Sequence, residues 1–295
     1  MAQAYAGEIA ALAVAVCWSV SSTMFERSGK RAGSIAVNHI RLLFACILLG
    51  VYGWLVNGSF IPVGASNQQW VWLSISGFFG LFLGDLCLFK SLTLIGARLS
   101  MLVMTFAPVL TALIGWVALD ESLLWYQWIA ILLTISGILV AFVGMNKGQF
   151  TLKMSLKGFL FALGGAVGQA LGYIFSKKGM GSYDPFSATQ IRMITGLVCF
   201  TLFVVLAKRW REVGAAFGSR VVVKDVFVGS FFGPFLGVAL SMYAITKTET
   251  GVASALMALT PIVLIVPAVL KGRAIAAREW VGALISVAGV ILLFI

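Results

Sequence analysis

Apolar runs of about 20 residues recur along the whole chain, separated by short charged or turn-rich links, and this repetition restricts the fold more than any other feature of the sequence. At 1.5 Å per residue, each run as a helix spans a hydrocarbon core of about 30 Å. The composition agrees: 61% of residues are hydrophobic and 11% charged, whereas a soluble globular domain carries about a quarter charged residues. The expectation is an all-α polytopic membrane protein. The runs lie near residues 8–26, 36–56, 69–89, 97–118, 125–145, 156–176, 186–207, 225–246, 251–270 and 279–295, which makes ten spans. The first, Ile9 to Phe25, has Glu8 where a secretory signal has a basic segment, and charged residues follow it where a cleavage site would lie. It reads as a retained span.

The spans divide into two halves, residues 1–148 and 149–295, because the same features return at a fixed interval. "MTFAP" (Met104 to Pro108) and "MALTP" (Met257 to Pro261) are 153 positions apart, as are "FLG" at Phe82 to Gly84 and "FLG" at Phe235 to Gly237. Ser76, Gly80 and Gly84 fall opposite Gly229, Gly233 and Gly237. Arg41 matches Arg192, Gln127-Trp128 matches Glu279-Trp280, and Gly137 matches Gly289, at offsets of 151 to 152. Five spans per half is an odd number, so the second copy enters the membrane from the opposite side. Such inverted repeats are common in secondary transporters, whose site lies near the midplane between the halves; duplication without a transport role is the alternative.

In a soluble protein a formal charge of +11 would raise nucleic-acid binding. Here the basic residues lie between the apolar runs and report orientation instead. Links after the odd-numbered spans hold 16 Lys and Arg residues, against Lys177, Lys178 and Lys247 on the other face. By the positive-inside rule both termini are outside. Cys17, Cys46, Cys87 and Cys199 lie inside apolar runs without CxxC spacing, as small packing residues, and no metal or other cofactor is implied.

A proline inside a helix removes a hydrogen bond at a cost of about 3 kcal/mol, so Pro108 and Pro261 are expected to bend spans four and nine, leaving the carbonyls of Met104 and Met257 free for water or ligand. Glycines spaced by four, at Gly164, Gly168 and Gly172 and at Gly229, Gly233 and Gly237, form smooth stripes that serve either tight helix packing or a passage of variable width. Charges inside a span need a partner or a task. His39 and Arg41 lie about one turn into span two, and Asp85 lies at similar depth in span three, so Asp85 can pair with either. Arg192 repeats Arg41, yet Val238 stands where the second half would need its acid; Glu8 and Glu249 lie at a level to partner it. A softer set, Trp18, Ser19, Ser22, Gln169, Tyr173 and Tyr243, combines rings with hydrogen-bonding tips near the glycine stripes, which suits a partly apolar organic solute.

"ALAVAVCWSVSS" in span one, "IRLLFA" and "IRMITG" in spans two and seven, the prolines of spans four and nine, and "LDESLLWYQWIAILLTISGILVA" beside "AREWVGALISVAGVILL" resemble the EamA family of the drug/metabolite transporter superfamily, over nearly the whole chain. The resemblance implies a secondary transporter of the inner (cytoplasmic) membrane, commonly an exporter of amino acids, other metabolites or drugs. It further implies a cavity formed by spans one, three, four, six, eight and nine, with spans five and ten peripheral. Trp18, Arg41, Arg192, Pro108 and Pro261 match family positions, and Glu121 matches the acid that often follows span four. Arg273 stands where the second half usually has that acid. The expected partners are a small organic solute, protons or another coupling ion, and the bilayer, with no nucleic acid. A channel or a sensor without active transport is the alternative. One His and one mid-span Asp are too few for an intramembrane hydrolase, so the chain does not read as an enzyme.

Overall fold

The structure is a computed structural model that describes residues 5–118, 124–146, 149–152, 155–247, 256–270 and 276–293. Each apolar run is largely helical over its described residues, although not as ten separate rods. Helices α1 (Ala6–Ala32) and α2 (Ser34–Asn57) are the first two spans. The third and fourth runs form one helical path, α3 (Asn67–Gly77), a π-helical segment (Phe78–Gly84) and α4 (Asp85–Met104), followed by α5 (Phe106–Ala118). Then come α6 (Trp125–Phe142), α7 (Leu156–Met180) and α8 (Pro185–Leu206), a short α9 (Trp210–Gly218), and α10 (Arg220–Ser230), which runs through a second π-helical segment (Phe231–Gly237) into α11 (Val238–Lys247). Helices α12 (Thr260–Leu270) and α13 (Ala277–Leu293) complete the chain. Five stretches, 6–32, 34–57, 67–104, 156–180 and 185–206, are each long and apolar enough to cross a membrane.

Two elements differ from the sequence reading. Span five ends at Phe142, and β1 (Val143–Asn146) turns back on β2 (Gln149–Leu152) as an antiparallel hairpin joining the halves. The link after span seven contains α9, whose Val213 and Ala216 are buried in a core shared with Phe25, Val37, Ile40, Phe89 and Val226. Its charged neighbours hid that amphipathic turn inside what reads as a loop.

Local chemistry accounts for the boundaries. Ser66 and Gln69 form a reciprocal capping box at the start of α3. Asp184 accepts from the Ser187 amide at 2.8 Å, with Pro185 in the first turn of α8. At Gly96 the helical path breaks, with φ 83° and ψ 164°, a backbone conformation that essentially only glycine adopts. The amide of Ala97 there donates to Glu26 of α1 at 2.7 Å, and Lys30 pairs with the same carboxylate.

The helices pack crosswise between the halves. α1 lies against α10, the second π-helical segment and α11, while α7 lies against α3, the first π-helical segment and α4. α2 touches α8 and α10, and α3 touches α8. In terms of spans, one meets eight as six meets three, and two meets eight as seven meets three; this reciprocity is that of a pseudo-two-fold between repeats. α6 and α13 pack mainly on each other through Gly137, Gly282 and Gly289, where a methyl group would fall 2.3 to 2.5 Å from the facing helix.

Candidate functional site

The two π-helical segments occupy the same place in each repeat. Phe78–Gly84 reads FFGLFLG and Phe231–Gly237 reads FFGPFLG, seven residues each, 153 positions apart. A π turn bonds i to i+5 and is found mostly as a local bulge, often at functional sites. Pro234, which lacks an amide donor, is accommodated in the second segment. The first has no proline and the same register, so proline is not the cause. The FLG match was visible in the sequence, but a π bulge has no hydrophobic period of its own, and its extent was not.

Each segment lies on a glycine seam. A methyl at Gly168 would fall 2.4 Å from the Gly84 Cα, and one at Gly172 would fall 3.0 Å from the Gly80 Cα. On the other seam Gly229, Gly233 and Gly237 face Phe25, Ser21 and Trp18. One serine hydroxyl closes each crossing: Ser76 donates to the Gly172 carbonyl at 2.6 Å and Ser21 to the Gly229 carbonyl at 2.9 Å. Serine and glycine have changed places between the repeats. Of the two readings of the glycine stripes, tight helix packing describes what they do in this structure.

Between the seams lies a buried ion pair. Arg41 of α2 donates to Asp85, the first residue of α4, at 2.5 Å, and both side chains are buried. The guanidinium also lies over the rings of Phe89 (5.1 Å) and Phe25 (5.9 Å). His39 is not part of this pair. Its Nε2 lies 3.0 Å from the Thr201 hydroxyl and its ring meets Trp210 edge-on, because its helix face turns toward α8 and α9.

Arg192 occupies the equivalent place in the second repeat. A methyl at Gly77 would fall 2.5 Å from its carbonyl, and Ser230, 153 positions later, donates to the Arg41 carbonyl at 3.4 Å. Arg192 lies within electrostatic reach of Asp85 and Tyr173. It makes no ion pair among the described residues, with Glu8 or any other acid, and its Nε is enclosed without a hydrogen-bond partner. Glu249, its other expected partner, lies outside the described residues, as do Glu121 and Arg273.

The softer set separates. Trp18 packs on Gly233 and Gly237. Ser19 is buried and reaches the Thr260 carbonyl at 3.2 Å, joining α1 to α12, and Ser22 donates to the Ser19 carbonyl. Gln169 is half-buried on α7, one turn from Tyr173. Tyr173 and Tyr243 are about half exposed. A groove of about 470 Å³ lined by Met24, Arg27, Arg220, Val221, Lys224, Asp225 and Val228 lies between α1 and α10 and contains none of these residues.

Each proline stands just after a one- or two-residue interruption of the helical path. The path pauses at Thr105 and α5 restarts with Pro108 as its third residue; residues 258–259 form a turn and Pro261 is the second residue of α12. A proline in a first turn lacks an amide that has no intrahelical partner anyway, so this is where helices tolerate it. Nor is the Met257 carbonyl free, because it accepts the Thr260 hydroxyl at 2.9 Å. Thr105 bonds back to Leu102 and meets the Ser286 hydroxyl at 2.7 Å, a cross-repeat contact that no spacing in the sequence announced.

Residues 5–143 and 156–295 each match the EamA-like transporter family. The chain belongs to that family. Both copies of the EamA repeat are present, and the β1–β2 hairpin lies mostly between them. The chain is similar to a protein of Bacillus subtilis (strain 168) described as uncharacterized transporter YvbV, 29% identical over 133 residues. That match spans 43% of this chain and about two fifths, 41%, of the relative. One solved crystal structure superposes with a TM-score of 0.66 over 97% of this chain and 96% of the other, at 17% identity, a likeness in fold alone. EamA membership makes this a multi-pass membrane protein of a transporter family.

Proposed function

We propose that the chain is a secondary active transporter that moves a small organic solute across the cytoplasmic membrane by alternating access, exporting amino acids or related metabolites or drugs. The observation that carries the reading is the buried Arg41–Asp85 pair with Arg192 close by, where helices of both repeats converge. A membrane protein keeps charges at such depth when they serve transport or coupling. Asp85 holds the coupling proton or cation, and its release from Arg41 accompanies the change of access. The breaks at Thr105 and residues 258–259, each next to its proline, are the hinge points of spans four and nine, and Trp18, Ser19, Ser22, Gln169, Tyr173 and Tyr243 border the solute path.

Purified protein in liposomes, screened first by thermal shift against amino acids, nucleosides and organic cations, tests this. The expected result is uptake of the best hits that saturates with concentration and follows an imposed proton or sodium gradient. Flux that neither saturates nor follows a gradient would make the protein a channel, and stabilisation by a solute without flux would make it a sensor.

A further inference from the structure

We propose that Arg192 binds a carboxylate on the transported solute. The inference rests on the transporter reading above and adds the chemical class of its substrate. Inside the spans Asp85 faces two arginines, and its carboxylate is committed to Arg41 at 2.5 Å. Arg192 senses that acid at longer range, yet among the described residues it forms no ion pair or hydrogen bond, and its Nε is enclosed. Among the described residues the cluster therefore carries one positive charge more than it neutralises. In a low-dielectric interior that is an unfavourable state, relieved by one negative charge.

The repeat explains what is missing. In the first half Asp85 of span three answers Arg41 of span two; at the corresponding place in the second half stands Val238, which cannot answer Arg192. An anion arriving with the solute completes the second repeat as Asp85 completes the first. The guanidinium meets helix backbone with few side chains: methyl groups built at Gly80 and Gly172 would fall 3.4 and 3.5 Å from Arg192 Nη2. Tyr173, next to Gly172 on α7, is half exposed and within electrostatic reach of Arg192. A guanidinium presents paired N–H groups that match the two oxygens of a carboxylate. One residual charge favours this monoanion over a dianionic phosphate.

Four matched pairs test the proposal: benzoate, L-phenylalanine, L-leucine and L-threonine, each beside its amide, with thermal shift on the parent protein and on Arg41→Gln, Arg192→Gln and Arg192→Lys. Without ligand, Arg192→Gln is expected to melt at or above the parental temperature, while Arg41→Gln melts lower. At least one acid should stabilise the parent more than its amide does. Its apparent affinity should fall by about tenfold or more in Arg192→Gln, the scale of a lost charge-assisted bond, with partial retention in Arg192→Lys. The proposal is overturned if Arg192→Gln destabilises the empty protein as Arg41→Gln does, if no acid exceeds its amide, or if the acid acts equally on parent and Arg192→Gln. Gradient-driven, saturable flux of an amide in both parent and Arg192→Gln liposomes would also overturn it and leave the transporter reading standing. Arg192-dependent binding of an acid without flux would sink the transporter reading and keep the site.

Discussion

Burying Arg41 and Asp85 removes two charges from water, and their mutual attraction offsets that penalty only while both are present. Removing one partner of a buried pair costs about 3–5 kcal/mol in soluble proteins. Asp85 serves two cations, so its loss is the more severe: Asp85→Asn leaves two arginines without an acid, whereas Arg41→Gln leaves Asp85 within reach of Arg192. Asp85→Asn is expected to lower unfolding stability by about 3–5 kcal/mol, Arg41→Gln by less, and the double variant by less than the sum. Denaturation in detergent measures all three, and strict additivity would mean that the pair carries no coupling energy. At a temperature where Asp85→Asn is still folded, it should insert normally and lose gradient-driven transport. Transport at the parental rate with unchanged pH dependence would leave Asp85 a structural role alone.

At the scale of the elements, the glycine seams set how closely the helices approach. Gly168→Ala directs a methyl to 2.4 Å from the Gly84 Cα, where no rotamer relieves the clash, while Gly214 of α9 has nothing within 4 Å. Gly168→Ala should therefore destabilise by about 1–3 kcal/mol as overpacking, whereas Gly214→Ala should be neutral or gain up to about 1 kcal/mol from helix propensity. Melting temperatures of the two variants decide the matter; equal shifts would mean that the seam yields to a methyl group without cost. Pro108 and Pro261 stand in first turns, so alanine there should change stability by less than about 1 kcal/mol. If the breaks beside them are hinges, each variant shifts the labelling of cysteines engineered at the two mouths, toward the cytoplasm in one and toward the outside in the other. Parental rates with unaltered labelling would make the prolines helix starters and nothing more.

For the whole molecule, 16 basic residues against three on the two sets of links predict the direction of insertion. A reporter fused after Ile295 should read as outside the cytoplasm, and a cytoplasmic signal would reverse every assignment of inner and outer mouths. The crosswise packing, span one on eight and six on three, means that neither repeat buries its own seam. A half chain of residues 1–148 alone should be degraded or aggregate, and co-expression with 149–295 should restore a folded pair; a stable first half by itself would contradict the shared core.

The sequence by itself determined the membrane class, the apolar runs and the repeat, because a bilayer demands runs of fixed length and duplication preserves spacing. It also narrowed the partner of Asp85 to Arg41 or His39, since both lie at its depth. Depth does not specify azimuth: only packing turned Arg41 toward Asp85 and His39 toward Thr201 and Trp210. The Thr105–Ser286 contact and the burial of α9 were likewise decided by tertiary structure. Each depends on which helix lies opposite, and residues 181 positions apart have no periodicity that brings them together. The prolines show the same limit from the other side. Their composition announced a break in the helix, but whether the chain bends through it or stops and restarts depends on the neighbouring hydroxyls and carbonyls that take up the unpaired backbone groups.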